Sequence, residues 1–186
     1  MNRLKLKEAI ENFILEDVGS GDITAESIFD ELRTDKGIFK AKSEGIICGL
    51  IVAEYVYEAL GGNVQLNYLK NDGDFVTAGT NLLEVEGSVK TLLTGECLIL
   101  NLMQRMSGVA TMTFKAVEIL GGSSIRICDT KKTLPGLRLF EKYAVRVGGG
   151  YNHRIGLYDG VMLKDNHIAF TGGIAKAVKK FKKLLV

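Results

Sequence analysis

A chain of 186 residues is long enough to bury a substantial hydrophobic core in one or two domains. Its net charge of +2 and its 46% of hydrophobic residues are typical of a globular protein, so we expect neither a nucleic-acid partner nor a membrane partner. Three scattered cysteines, the absence of any apolar run of about 18 residues and a charged N-terminus without a signal sequence predict a cytoplasmic protein.

Short elements of both kinds are predicted in the first half of the chain. Apolar residues at helical spacing predict a helix over residues 3–15, and the acidic stretch at 16–24 is interpreted as capping and turn chemistry. Residues 36–49 predict a strand or a pair of strands, and 49–62 predict a helix that ends at glycine. Short alternating runs predict further strands over 64–93, so this half predicts an α+β unit.

The second half begins with a long apolar segment, residues 95–120, that predicts a mostly buried helix. The pattern then alternates, with strands predicted at 125–128 and 161–163 and helices predicted at 137–147 and 172–186. This order is typical of the start of a parallel sheet or of a (β/α) barrel. The sequence therefore predicts the α/β class.

Basic groups follow both predicted barrel strands. DTKKTLPG (129–136) follows the first strand, LKDNHI (163–168) follows the second, and GGGYNHR (148–154) lies between them. Because loops after barrel strands share one face, these groups are expected to converge on a ligand with phosphate or carboxylate groups. The glycines stop a helix and can bring backbone N–H groups close to an anion. The side chains expected there are Lys131, Lys132, Arg154 and Lys164, and His153 and His167 could join them.

The segment DTKKTLPGLRLFEKYAVRVGGGYNHRIGLYDGVMLKDNHI resembles the signature region of one enzyme family, the nicotinate-nucleotide pyrophosphorylases or quinolinate phosphoribosyltransferases. Earlier segments agree in order: EDVGSGDIT, then GIICG, then LNLMQRMSGVATMT. The resemblance runs from about residue 14 to residue 174 and is densest over residues 129–167.

The resemblance implies a fold and a reaction. A homologous fold would be an N-terminal α/β sandwich domain with a long connecting helix at 1–121, then a partial α/β barrel of about two strands at 122–186. The family is a pentosyltransferase family of de novo NAD biosynthesis. With Mg²⁺ it condenses quinolinate and phosphoribosyl pyrophosphate to nicotinate mononucleotide, pyrophosphate and CO₂. Its members are homodimers or higher oligomers whose sites take residues from a neighbouring subunit.

The family's motifs also imply residue roles. The catalytic residues would be Lys132 and Lys164, and no metal ligand is assigned within the chain. The implied substrate-binding residues, which would meet the carboxylates of quinolinate and the phosphates of the cosubstrate, are Lys131, Lys132, Thr133, His153, Arg154 and Lys164.

Three features depart from the family pattern. Cys97 stands where the family usually has an arginine that reaches the quinolinate site across the dimer interface, and a thiol cannot replace that contact. Lys131 stands where the loop normally has arginine, and this exchange is not conservative at a bidentate site. Few residues follow the second predicted strand, so we expect a C-terminally truncated chain that is inactive or impaired alone, or a missing half supplied by another polypeptide.

Two alternatives stay open. The exchanges at Cys97 and Lys131 favour a non-catalytic remnant, or a subunit fragment that retains an anion site. The short-strand rhythm of GDFVTAGTNLLEVEGSVKTLL is also typical of a biotinyl or lipoyl carrier module, which would need Lys90 at the tip of a hairpin but leaves the signature region unexplained.

Overall fold

The computed structural model describes residues 1–30 and 32–183. The chain divides into two compact units, Met1–His153 and Arg154–Val186, and each is described by itself. The domain boundary at residues 121 and 122, expected from the family fold, stays a prediction.

Antiparallel strands and helices form the larger unit. The elements are α1 Arg3–Asp17, α2 Ile23–Ile28, β1 Thr34–Lys40, β2 Gly45–Ile46, α3 Ile51–Ala59, β3 Gln65–Tyr68, β4 Phe75–Val76, β5 Asn81–Ser88, α4 Val89–Ile119 and α5 Arg138–Val147. Strand β5 lies between β1 and β3 in a three-stranded sheet, and β2 pairs with β4.

Sequence periodicity explains how these elements share one core. Alternation along β5 buries Leu83 and Val85 and exposes Glu84 and Glu86. The long helix α4 contributes buried residues between Val89 and Ala110, and α1, α3 and α5 add their apolar faces to the same core. The acidic turn before α2 has the predicted capping role, since the Asp22 carboxylate accepts a hydrogen bond from the N–H of Ala25.

Helix α4 begins earlier than the sequence pattern predicts. Of residues 88–93, predicted as a short strand, Ser88 ends β5 and residues 89–93 form the first turns of α4, because a short apolar run at a helix start resembles a buried strand. Lys90 therefore lies in the first turn of α4 and not at the tip of a hairpin. This placement makes the carrier-module alternative wrong.

The barrel strand predicted at 125–128 is reduced to one residue, Cys128, which forms a parallel bridge with Tyr151. The N–H of Tyr151 donates to the carbonyl of Ile127 at 2.8 Å, and the N–H of Asp129 donates to the carbonyl of Tyr151 at 3.0 Å. The strand predicted at 161–163 is wrong, because this segment is irregular and pairs with no strand in the described part of the chain. Its apolar run is too short to define a strand without such a partner.

The second unit contains two short helices, α6 Asp165–Thr171 and α7 Ile174–Lys182. The sequence predicts only one helix here. Gly172 ends α6 in the left-handed conformation, at φ 74°, and thereby separates the two helices. Within the described residues, none of the helices combines the length and the apolar character needed to cross a membrane.

Candidate functional site

A buried ion pair organises the loop that follows the parallel bridge. The Asp129 carboxylate and the Lys142 ammonium are 2.5 Å apart, and their side chains are only 8% and 4% exposed. The same oxygen of Asp129, Oδ1, accepts a hydrogen bond from the N–H of His153 at 2.8 Å. The Lys142 ammonium donates a second hydrogen bond to the His153 carbonyl at 3.0 Å. The pair therefore joins the loop, helix α5 and the NHR segment.

Asn152 completes this arrangement. With its amide nitrogen turned inward, Asn152 donates to Asp129 Oδ2 at 2.9 Å and to the Lys142 carbonyl at 2.8 Å. Both carboxylate oxygens of Asp129 thus accept hydrogen bonds from the 152–153 segment. A buried charge requires such partners, because burial without them is costly.

Arg138, in the first turn of α5, holds the basic loop from its other end. Its Nε donates to the Thr133 hydroxyl at 3.1 Å, and its Nη2 donates to the Lys131 carbonyl at 3.4 Å. Lys131 and Thr133 are half-buried, whereas Lys132 is exposed. The loop therefore presents the Lys132 side chain from a backbone that is fixed at both ends.

The triple glycine has a packing role. A Cβ atom at Gly148 would overlap the Ala110 carbonyl oxygen of α4 and would lie 2.7 Å from Thr113. The N–H groups of all three glycines donate to carbonyls of α5. The anion nest predicted for these glycines is therefore wrong, since their donors are already used and their close approach is to a helix. The predicted helix stop is confirmed.

Helix α5 is tied to the rest of the unit at two further points. Arg105 of α4 donates to Glu141 Oε1 through Nη2 at 2.6 Å and through Nε at 3.0 Å. The Tyr143 hydroxyl donates to Asp72 Oδ2 at 2.9 Å. Burial, with the nearby Asp72 carboxylate, raises the pKa of Tyr143, so its hydroxyl stays protonated as a donor. The helix that carries Lys142 is thus rigidly placed.

The second unit holds the remaining predicted site residues by local contacts. Arg154 donates from Nη1 to the Gly160 carbonyl at 2.8 Å. Asp159 accepts hydrogen bonds from the N–H groups of residues 155 and 156 at 2.6 and 2.7 Å. The exposed Lys164 precedes α6, and its N–H donates to His167 Nδ1 at 3.1 Å. His167 is therefore a helix-capping residue.

The predicted residues fall into two groups. Lys131, Lys132, Thr133 and His153 lie in the larger unit, on the two segments that Asp129 connects. Arg154 and Lys164 lie in the second unit. The assignment of all six to substrate stays a prediction.

The residues that hold the basic loop in place, Asp129, Arg138 and Lys142, were not predicted from the sequence. Helical spacing gives no signal for Lys142, because it lies two residues from both Phe140 and Ala144 and therefore on the opposite side of α5 from them. Cys97 is an exposed free thiol on α4.

Comparisons with known proteins identify the family of the chain. The family model for the N-terminal domain of quinolinate phosphoribosyl transferase matches residues 22–107, and that for the C-terminal domain matches residues 109–185. The chain is 52% identical over 183 residues to a probable nicotinate-nucleotide pyrophosphorylase (carboxylating) of Bacillus subtilis. It is 40% identical over 181 residues to the chloroplastic nicotinate-nucleotide pyrophosphorylase of Arabidopsis thaliana. A crystal structure of NadC from Streptococcus pyogenes superposes with a TM-score of 0.92 at 43% identity.

These likenesses confirm the predicted α/β fold class and cover nearly all of the chain. They include 98% of it for the Bacillus subtilis relative, 97% for the Arabidopsis relative and 100% for the Streptococcus pyogenes structure. In the other direction, the chain spans 63%, 51% and 66% of those three proteins.

Proposed function

Because the chain belongs to the quinolinate phosphoribosyltransferase family, we propose that residues 129–168 bind the anionic substrates of a phosphoribosyl transfer reaction. The substrates proposed are quinolinate and phosphoribosyl pyrophosphate, and the products are nicotinate mononucleotide, pyrophosphate and CO₂. One observation carries this proposal. The basic loop and the His153 backbone are held by a buried ion pair, which is the preorganisation that recognition of a charged substrate requires.

The proposed roles follow from the charges of the reaction. Transfer from a pyrophosphate builds negative charge on the leaving group, and cations that meet it stabilise the transition state. Lys132 and Lys164 are proposed for this catalytic role, and both also bind substrate. The residues proposed to contact the carboxylates and phosphates are Lys131, Thr133, His153 and Arg154.

Magnesium is proposed to enter with phosphoribosyl pyrophosphate. Mg²⁺ is commonly held by substrate phosphates and one or two carboxylates. No group of three His, Cys, Asp or Glu side chains could hold a metal ion within residues 1–30 and 32–183. The basic loop suits the phosphates of the cosubstrate and not the ion itself.

The direct test measures nicotinate mononucleotide formation by a polypeptide that contains this chain, supplied with both substrates and Mg²⁺. Lys132→Ala is expected to lower the rate by about 10²-fold or more, as loss of one preorganised stabilising group does. Lys115→Ala, which removes an exposed lysine of α4, is the matched control and should keep the rate. Equal rates for both variants would contradict the proposed site. The 186-residue chain alone is expected to release little or no pyrophosphate, and robust release would overturn that expectation.

Cys97 and Lys131 favour a second candidate, a fragment or remnant that binds anions without catalysis. Calorimetric titration with quinolinate tests this candidate, because a lack of saturable binding would argue against even a retained anion site. Cys97→Arg restores the guanidinium typical of the family and is expected to tighten quinolinate binding if the site is otherwise complete. An unchanged affinity would show that Cys97 does not limit the site.

An oligomeric partner and a location complete the proposal. A homodimer or higher oligomer is proposed because the family assembles sites across subunits, and sedimentation velocity would test it. A cytoplasmic location is supported by three free thiols, Cys48, Cys97 and Cys128, which fit a reducing compartment.

A further inference from the structure

We infer that Lys142 and Asp129 are positioning residues for His153, and that they act through its backbone. This inference rests on the proposed function for its effect on substrate and on the structure alone for its geometry. The two residues bind both sides of His153: the Asp129 carboxylate accepts from its N–H, and the Lys142 ammonium donates to its carbonyl. The peptide groups that flank the His153 Cα atom are therefore both fixed.

The burial of Lys142 distinguishes this contact from an ordinary surface ion pair. Its side chain is 4% exposed, and a buried ammonium is tolerated only when hydrogen-bond acceptors compensate for lost hydration. Its two acceptors belong to Asp129 and His153, which lie on separate segments. A hydrophobic residue of similar length would fill the same space but would bind neither segment. The charge therefore serves to join the segments rather than to fill the core.

The position of the His153 side chain is the consequence. His153 itself is exposed, so its imidazole can meet a ligand while Asp129 and Lys142 fix its backbone. Displacement of a substrate-contacting group by about 1 Å can cost about 10²-fold in rate. We take the substrate that His153 contacts to be quinolinate, which carries the carboxylates. Loss of Lys142 is therefore expected to weaken the binding of quinolinate more than the binding of phosphoribosyl pyrophosphate.

The matched variants are Lys142→Met and Arg105→Met. Each substitution removes the basic partner of an ion pair that involves a residue of α5, and each leaves a buried carboxylate. The difference is that Arg105 contacts Glu141 and not the His153 backbone. Both variants are expected to lose stability. Only Lys142→Met is expected to raise the KM for quinolinate, by about tenfold or more, with a smaller change for phosphoribosyl pyrophosphate. Lys142→Arg, which keeps the charge, should restore part of the quinolinate affinity.

Amide hydrogen exchange provides a readout that needs no activity. In a polypeptide that contains the chain, the His153 amide is expected to exchange at least tenfold faster in Lys142→Met, and at an unchanged rate in Arg105→Met. Unchanged exchange at His153 in Lys142→Met would overturn the positioning role, whatever the activity. Faster exchange with equal KM changes for both substrates would also overturn it, since that is the result of general destabilisation. An inactive wild type that does not bind quinolinate would refute the proposed function while the exchange result still decides the geometry.

Discussion

The two stretches that carry the predicted site residues are held in different ways. The stretch 129–153 is fixed by contacts between distant residues: Asp129 binds Lys142 and His153, which lie 13 and 24 positions away. The stretch 154–168 is held by contacts between near neighbours. For example, the hydrogen bond from Arg154 to the Gly160 carbonyl spans 6 positions. The first geometry therefore depends on the packed core of its unit, and the second depends on local loop chemistry.

Burial sharpens this difference. The Asp129–Lys142 pair is nearly inaccessible to water, whereas the Asp159 contact to the N–H of Ile155 is exposed. A hydrogen bond to an exposed group competes with water and contributes little, but an orphaned buried charge is expensive. Substitutions in the two stretches should therefore differ in both the size and the extent of their effects.

The largest effect is expected from Lys142→Met. Removal of the ammonium leaves the Asp129 carboxylate buried and without its counter-charge, which costs about 3–5 kcal/mol in comparable buried pairs. Chemical denaturation should show a lower free energy of unfolding for the whole larger unit, because α5 packs on α4. A loss below about 1 kcal/mol would mean that water solvates this pair, and the contrast between the stretches would disappear.

The second-largest loss of stability is expected from Gly148→Ala, at about 2–3 kcal/mol, because the added methyl group overpacks the contact. Its Cβ would meet the backbone of Ala110, which cannot move aside as a side chain can. Gly108→Ala is the matched control on the same pair of helices, since nothing lies within 4 Å of the added methyl group. That control should stabilise by about 0.5–1 kcal/mol through helix propensity. Opposite signs for the two variants are the expected result of thermal or chemical denaturation.

The elements that could be predicted from sequence are those with a long or strict pattern. Helices α1 and α5 begin and end within a few residues of their predicted bounds, and the alternation in β5 identifies its buried face. The start of α4 and the strand at 161–163 could not be predicted, because short apolar runs do not distinguish a helix turn, a strand or an irregular segment. Whether such a run forms a strand depends on a partner that the local sequence does not contain.

The candidate site shows the same limit. The residue types and order in the signature region predict an anion site, and the structure places Lys131, Lys132 and Thr133 on one anchored loop. The support for that loop was not predicted, because Asp129 and Lys142 are ordinary charged residues until the fold buries them together. The glycines at 148–150 were predicted to approach an anion, but Gly148 approaches α4 instead. Both kinds of close approach require glycine, so the sequence does not distinguish them.

Tyr143→Phe tests a smaller contact of the first stretch. Loss of the hydrogen bond to Asp72 should cost about 1 kcal/mol at neutral pH. Burial raises the pKa of Tyr143 above its ordinary value of 10.0, so the hydroxyl ionises more readily in the unfolded chain. Its contribution is complete below about pH 10 and is lost as pH rises towards the higher pKa of the folded state. Between about pH 9 and 11, Tyr143→Phe should therefore lose less stability than the wild type, and parallel losses would contradict this role.

The smallest effect is expected from Asp159→Ala, in the locally held stretch. The substitution removes the acceptor for the exposed N–H of Ile155 and for the partly buried N–H of Gly156, and hydrogen bonds of this kind contribute about 0.5–1 kcal/mol each. Amide exchange should accelerate at residues 155 and 156 and stay unchanged at Tyr151 and Asp129, whose amides belong to the parallel bridge. The free energy of unfolding of the larger unit should not change measurably. A loss as large as that of Lys142→Met would show that the loop is coupled to the core, and the distinction between a core-anchored and a locally held stretch would then be wrong.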